Sequence, residues 1–184
     1  MNVNPIIIRP PQTKDLQQIH EIFSVTIKDN FKAEGITDPS DEMANTEIEV
    51  LKSTLKKYFD SKGTEERFLI AATQGKVLGT IAYGKPGQLI LENYKIDHSN
   101  TPEVKSVYVL PDYQNKGIGK CLFQAILKVL EQNAIKDFCL DSGYKRAQLY
   151  WKKRLGNPSC IVPDYWGEDH YHLIWHEKVA EVLI

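Results

Sequence analysis

Little in this chain is available for covalent stapling, membrane insertion or bulk electrostatic attraction. Its 184 residues include three cysteines, Cys121, Cys139 and Cys160. The number is odd and no two form a Cys-x-x-Cys pair, so neither a disulfide framework nor a cysteine-built zinc site is expected. Each cysteine stands beside apolar residues, as buried free thiols do, and a reducing, cytoplasmic setting is expected. Lys and Arg number 23 against 24 Asp and Glu, a formal charge of -1, so no overall field draws the protein to nucleic acid or to an anionic membrane. No stretch reaches the roughly 18 apolar residues of a membrane span. The first residues carry no basic region ahead of the short run Ile6-Ile7-Ile8, so no export signal is expected. Repeats and low-complexity segments are lacking as well.

With 42% hydrophobic and 26% charged residues, the length suits one globular domain over 1–184, with a core that needs no disulfide or metal. The isoleucine run reads as a strand stopped by Pro10-Pro11. Thr13 is the expected cap of a helix in which Leu16, Ile19, Phe23, Ile27 and Phe31 recur at helical spacing until Gly35. Ser40 is the expected cap of a second helix, with Ile48, Leu51, Leu55 and Phe59 on its buried stripe and Gly63 at its close. Residues 67–73 and 77–83 read as an antiparallel hairpin turning at Gly75. Residues 88–102 are polar and irregular, long enough to border a substrate site. A strand over 103–109, a loop over 111–119, a helix over 120–132 and a buried strand over 138–140 form a β-loop-α-β unit. A helix over 146–154 and a last strand in which Tyr171, Leu173 and Trp175 alternate with His172 and His176 complete the pattern.

Gln114-Asn115-Lys116-Gly117-Ile118-Gly119-Lys120 lies between a strand and a helix, where backbone N–H groups and the helix dipole hold phosphate. It is not a dinucleotide fingerprint, because Leu122 stands where the third glycine belongs. It is not a P-loop either, because Cys121 follows the lysine in place of Ser or Thr. A Gly-x-Gly turn alone reads equally as an ordinary tight turn.

The longer run from Glu103 to Lys120, Glu-Val-Lys-Ser-Val-Tyr-Val-Leu-Pro-Asp-Tyr-Gln-Asn-Lys-Gly-Ile-Gly-Lys, resembles the acetyl-CoA-binding core of the GNAT superfamily of N-acetyltransferases. That superfamily's loop is (Gln/Arg)-x-x-Gly-x-(Gly/Ala), matched here by Gln114, Gly117 and Gly119. The order of expected elements over almost the whole chain is similar too. The resemblance implies an α/β (α+β) fold with a mixed, mostly antiparallel sheet flanked by helices and a splayed strand at the acetyl-CoA site. It implies that backbone groups of Val107, Tyr108 and Val109 hold the pantetheine arm. The pyrophosphate would rest on Gln114, Asn115, Lys116, Gly117, Ile118, Gly119 and Lys120, with acetyl-CoA as cosubstrate and no metal. Glu103 would take the proton of the attacking amine, directly or through water; its alternative reading is a solvated carboxylate at a strand end. Tyr150 would protonate the departing thiolate, although Gly156 stands farther along than the family pattern has it, which leaves Trp151 or a water as the other occupants of that position.

Direct attack by the amine is implied, so Cys121 and Cys139 are not expected to be nucleophiles. His170, His172, His176 and Cys160 do not match zinc-ligand spacing; His170 or His172 would border the acceptor with Tyr165 and Trp166. The acceptor is expected to be an amine of a small molecule or a peptide, for which Glu92, Asp97, Asp164, Glu168 and Asp169 supply negative charge. Lys145, Arg146, Lys152, Lys153 and Arg154 make a local basic stretch, read as a solvated helix face or as a contact for the nucleotide. No nucleic acid or membrane partner is expected, and a homodimer is the family-level expectation. The alternative function is a non-catalytic acyl-CoA-binding or regulatory domain.

Overall fold

The structure, a computed structural model, describes residues 5–183. Its strands are β1 (Ile7–Arg9), β2 (Arg67–Thr73), β3 (Lys76–Gly84), β4 (Glu103–Val109), β5 (Asp137–Ser142), β6 (Cys160–Val162) and β7 (His172–Lys178). The helices are α1 (Leu16–Glu34), α2 (Glu42–Asp60), α3 (Gln88–Asn93), α4 (Ile118–Gln132), α5 (Lys145–Leu155) and α6 (Val179–Val182). The strands make a seven-stranded sheet ordered β1-β2-β3-β4-β5-β7-β6. Pairing is antiparallel in β1–β2, β2–β3, β5–β7 and β6–β7 and parallel in β4–β5. This is the mixed, mostly antiparallel sheet expected from the sequence. Contacts divide the chain into two compact units, one comprising the chain up to Tyr83 with Ser106–Ile126, the other Gly84–Lys105 with the chain from Leu127 on.

In the first unit, α1 buries Ile19, Ile22, Phe23 and Ile27 almost completely, each worth roughly 1.5–3 kcal/mol of burial, and stops at Gly35 with φ 70°. Its start differs from expectation. Thr13 opens a short 3-10 turn, and the capping carboxylate is that of Asp15, which accepts the Gln12 N–H at 2.7 Å. Arg9 grips the same carboxylate at 2.7 and 3.0 Å. At α2 the cap is also displaced: Asp38, not Ser40, accepts the Ala44 N–H at 2.9 Å. The longer aspartate reach serves because Asp41, at φ 55°, turns the chain sharply just before the helix. The β2–β3 hairpin turns on Gln74 and Gly75, both at positive φ (45° and 78°), as a two-residue turn matched to strand twist requires.

In the second unit, residues 88–102 are not wholly irregular. They begin with α3, whose Ile90 is buried with Cys139 and Ile174. The last strand departs from alternation: His172, Leu173, Ile174 and Trp175 are all buried, in a strand that lies between β5 and β6. The exposed Tyr171 lies outside it. The short elements β6 and α6 carry too few residues to show a period.

Candidate active site

In the first unit, the second half of β4 is bent away from regular strand geometry. Ser106 sits at φ 53°, a left-handed conformation that a β-carbon disfavours by roughly 1–2 kcal/mol. It is held there by Thr80, whose fully buried hydroxyl donates to the Ser106 carbonyl at 2.8 Å. A residue in this conformation inside a strand marks a bulge, which redirects the strand beyond it. The residues redirected are Val107, Tyr108 and Val109, all half-buried. Gly79 of β3 lets the strands close up: a β-carbon there would stand 2.7 Å from the Tyr108 carbonyl oxygen and 3.2 Å from Leu122 of α4.

The chain then runs through a 3-10 turn, Pro111–Tyr113, into the glycine loop. The Gln114 side chain donates to the Val109 carbonyl at 3.0 Å and so ties the loop to the end of β4. Asn115 and Gly117 both take positive φ (58° and 83°), a conformation that anion-binding nests also use. Helix α4 begins at Ile118, two residues earlier than expected, so Gly119 lies in its first turn. The first-turn N–H groups have no preceding turn to bond. Lys116 and Lys120 are exposed beside them, and Lys116 also lies over the Tyr113 ring at 5.1 Å. No atom lies within 4 Å of where a Gly117 β-carbon would be, so the loop's outer surface is open. Bent strand, positive-φ loop, helix dipole and two lysines together suit a diphosphate with an extended amide-bearing tail.

Glu103 belongs to the second unit, at the start of β4, where it pairs in parallel with Cys139. It is 7% exposed, so the reading of a solvated strand-end carboxylate does not hold. Its Oε2 accepts the Gly87 N–H at 2.7 Å and stands 3.6 Å from Lys105 Nζ. Lys105 is itself fixed by donating to the Lys85 carbonyl at 2.6 Å. Residue spacing does not single out Gly87 or Lys105; only the alternation of β4, which puts 103 and 105 on one face, hints at the lysine.

Tyr150 lies on α5 with its hydroxyl oxygen buried. Its ring meets Trp151 edge-on at 4.8 Å, and the Arg154 guanidinium covers it at 4.7 Å. Trp151 is 4% exposed, a core residue. Lys145, Arg146, Lys152 and Lys153 are exposed along the same helix.

The cysteines differ from one another. Cys121 is exposed, against expectation, because it falls on the outer face of α4, while Cys160 is intermediate and Cys139 buried. Burial first, then the neighbouring Glu103 and Asp141 carboxylates, push the Cys139 thiol up to about 12, which removes its nucleophilic form. Of the acidic residues, Glu92, Asp97, Asp164, Glu168 and Asp169 are all exposed. Asp97 closes its own turn on Ser99 and Asn100. Among the described residues no group of three or more His, Cys, Asp or Glu could hold a metal ion, and no helix is long and apolar enough to cross a membrane.

Among solved structures, the PaiA N-acetyltransferase of Thermoplasma acidophilum, in complex with coenzyme A, is similar with a TM-score of 0.66 at 18% identity. It covers 94% of this chain and 99% of its own. The ribosomal-protein-alanine N-acetyltransferase of Brucella melitensis gives 0.67 at 16%, covering 94% and 99%. The yncA protein of Salmonella typhimurium, solved with its cofactor acetyl-CoA, gives 0.66 at 17%, covering 96% and 95%. At such identities these likenesses show the fold. No curated protein matches the chain in sequence. The model of the acetyltransferase (GNAT) family matches residues 19–156, three quarters of the chain and the whole run from Glu103 to the end of α5; the protein belongs to the GNAT acetyltransferase family.

Proposed function

We propose that this protein is an acetyl-CoA-dependent N-acetyltransferase that acetylates a primary amine of a small molecule or peptide by direct attack. The observation that carries the reading is the β4–α4 segment: a strand with Ser106 at positive φ, followed by a loop with two positive-φ residues and a helix start, which would suit an anion. The diphosphate of acetyl-CoA would rest on Gln114–Lys120 and its amide arm on the backbone of Val107–Val109.

Free alkylammonium has a pKa near ~10 and is unreactive until it loses a proton. Glu103, bonded to the Gly87 N–H and beside Lys105, accepts that proton directly or through one water. The amine nitrogen then bonds to the thioester carbon, and the oxygen takes the charge, which N–H groups of β4 near Tyr108 or Val109 would stabilise. The carbon–sulfur bond breaks as the oxyanion collapses, and the leaving thiolate takes a proton from Tyr150, whose phenolate the Arg154 guanidinium above its ring would stabilise. Cys139 has no part in this as a nucleophile. Three free cysteines are consistent with a reducing, cytoplasmic setting.

Coenzyme A release across a panel of amines, with wild type and Glu103→Gln, tests the proposal. Glutamine still accepts the Gly87 N–H, so the fold is retained, and kcat/KM falls by about 10²–10⁴ with loss of the acidic limb of the pH profile. Unchanged kcat/KM in Glu103→Gln would remove Glu103 from the chemistry. Absence of release with every amine, from protein that binds acetyl-CoA, would favour a non-catalytic acyl-CoA-binding domain.

A further inference from the structure

The loop between β6 and β7 displays two aromatic rings to solvent in a fixed setting. Trp166 is 61% exposed and Tyr165 41%, yet the indole is anchored. Its Nε1–H donates to His172 Nδ1 at 2.8 Å, and His172 Nε2 faces Asp141 Oδ2 at 3.3 Å. Accepting at Nδ1, the buried imidazole of His172 holds the tryptophan ring in place. Gly143 is the seat: a β-carbon there would be 2.7 Å from the indole nitrogen. Tyr165 meets Trp166 edge-on at 4.9 Å and His172 at 5.6 Å.

Such anchoring leaves π surface open to solvent without the mobility of an ordinary surface tryptophan. Within the loop itself the charge has one sign, although the exposed Lys145 and Arg146 follow Gly143 on α5. No lysine or arginine occurs between Arg154 and Lys178, whereas Asp164, Glu168 and Asp169 flank the two rings. A preorganised aromatic surface with carboxylates beside it binds ammonium groups. The reacting amine must be neutral when it attacks, so the cation held here is a different one.

We infer that the Tyr165–Trp166 surface binds a second, non-reacting ammonium of the acceptor, which makes the acceptor an oligoamine. This rests on the proposed acetyl transfer. Glu103 is level with Cys139 on β5, and Gly143, the seat of Trp166, is four residues farther along, about 13 Å at strand rise. An extended chain spans about 1.2 Å per bond, so the two nitrogens are separated by about 11 bonds.

The test uses the full chain and spermine, with tetraethylene glycol as an uncharged probe of similar length. Of the three indole N–H resonances, the one lost in Trp166→Leu belongs to Trp166. Spermine shifts it saturably, the glycol does not, and Gly143→Ala, which displaces the indole but keeps it, weakens spermine binding about tenfold. A Trp166 resonance unmoved by spermine, or moved equally by the glycol, overturns the inference. So does Gly143→Ala binding spermine as wild type does. Acetyl-CoA affinity, measured on the same samples, separates the two claims: its absence in wild type sinks the proposed acetyl transfer, whereas its presence with no response to spermine sinks only the oligoamine surface.

Discussion

Replacing Thr80 by valine tests whether a single hydroxyl holds the bend in β4. The two side chains have nearly the same shape, so the methyl packing of a fully buried residue is retained while the bond to the Ser106 carbonyl is lost. Leaving that carbonyl short of its partner costs about 1–3 kcal/mol, and Ser106 loses what holds it at φ 53°. For 184 residues the unfolding entropy near Tm is about 0.4 kcal/mol per degree, so Tm falls by about 3–8 °C. Thr80→Ser keeps the hydroxyl and loses a methyl, a cavity cost of about 1 kcal/mol. Valine is therefore the more harmful change for acetyl-CoA binding, because only valine frees the strand that positions residues 107–109. The assay is thermal unfolding by circular dichroism together with acetyl-CoA titration of both variants. Equal loss of affinity in the serine and valine variants, or valine retaining full affinity, would refute the idea that the hydroxyl sets the bend.

Gly79→Ala places a β-carbon against the Tyr108 carbonyl and Leu122 and is expected to cost about 1–3 kcal/mol by overpacking, seen as a lower urea midpoint at unchanged slope. In native protein a thiol reagent should modify Cys121 readily and Cys139 only on unfolding, since Cys139 is buried and its thiol is pushed up to about 12; mass spectrometry of the labelled peptides gives the order. Asp15 is held below the usual carboxylate range chiefly by the Arg9 hydrogen bonds and further by the Gln12 N–H, against the opposing effect of burial. A depressed folded pKa means that its stabilisation is fully present above the unfolded value near ~3.9 and is lost as pH falls through the folded one. Asp15→Asn should therefore lose stability at pH 7 and flatten the acid limb of the stability curve below about pH 4.

Much of this fold is legible in the sequence, because its long elements carry their own period. The stripe from Ile19 to Phe31, the Gly75 turn and the strand over 103–109 all stand where residue spacing puts them. The glycine loop is legible because glycines ahead of an apolar helical period mark a turn and a helix start together. The bend at Ser106 is not, since serine has no special claim to φ 53° and the hydroxyl that holds it comes from Thr80, 26 positions away in the chain. Caps on Asp15 and Asp38, in place of Thr13 and Ser40, depend on the exact turn of the chain, which several polar residues could serve. The burial of Glu103 and the seating of Trp166 on Gly143 likewise rest on partners that sequence spacing does not bring together.

Calorimetric titration of acetyl-CoA into wild type and Gly117→Pro, with the variant's fold verified by its thermal transition, tests the central claim most directly. Proline cannot adopt the φ of 83° found at Gly117, so the loop loses its N–H array while the open space around it spares the rest of the unit. Saturable one-site binding by wild type, abolished or weakened at least about a hundredfold in the folded variant, is the predicted result. No binding by wild type, or equal binding by the two proteins, would contradict the assignment of the β4–α4 segment as the acetyl-CoA cradle.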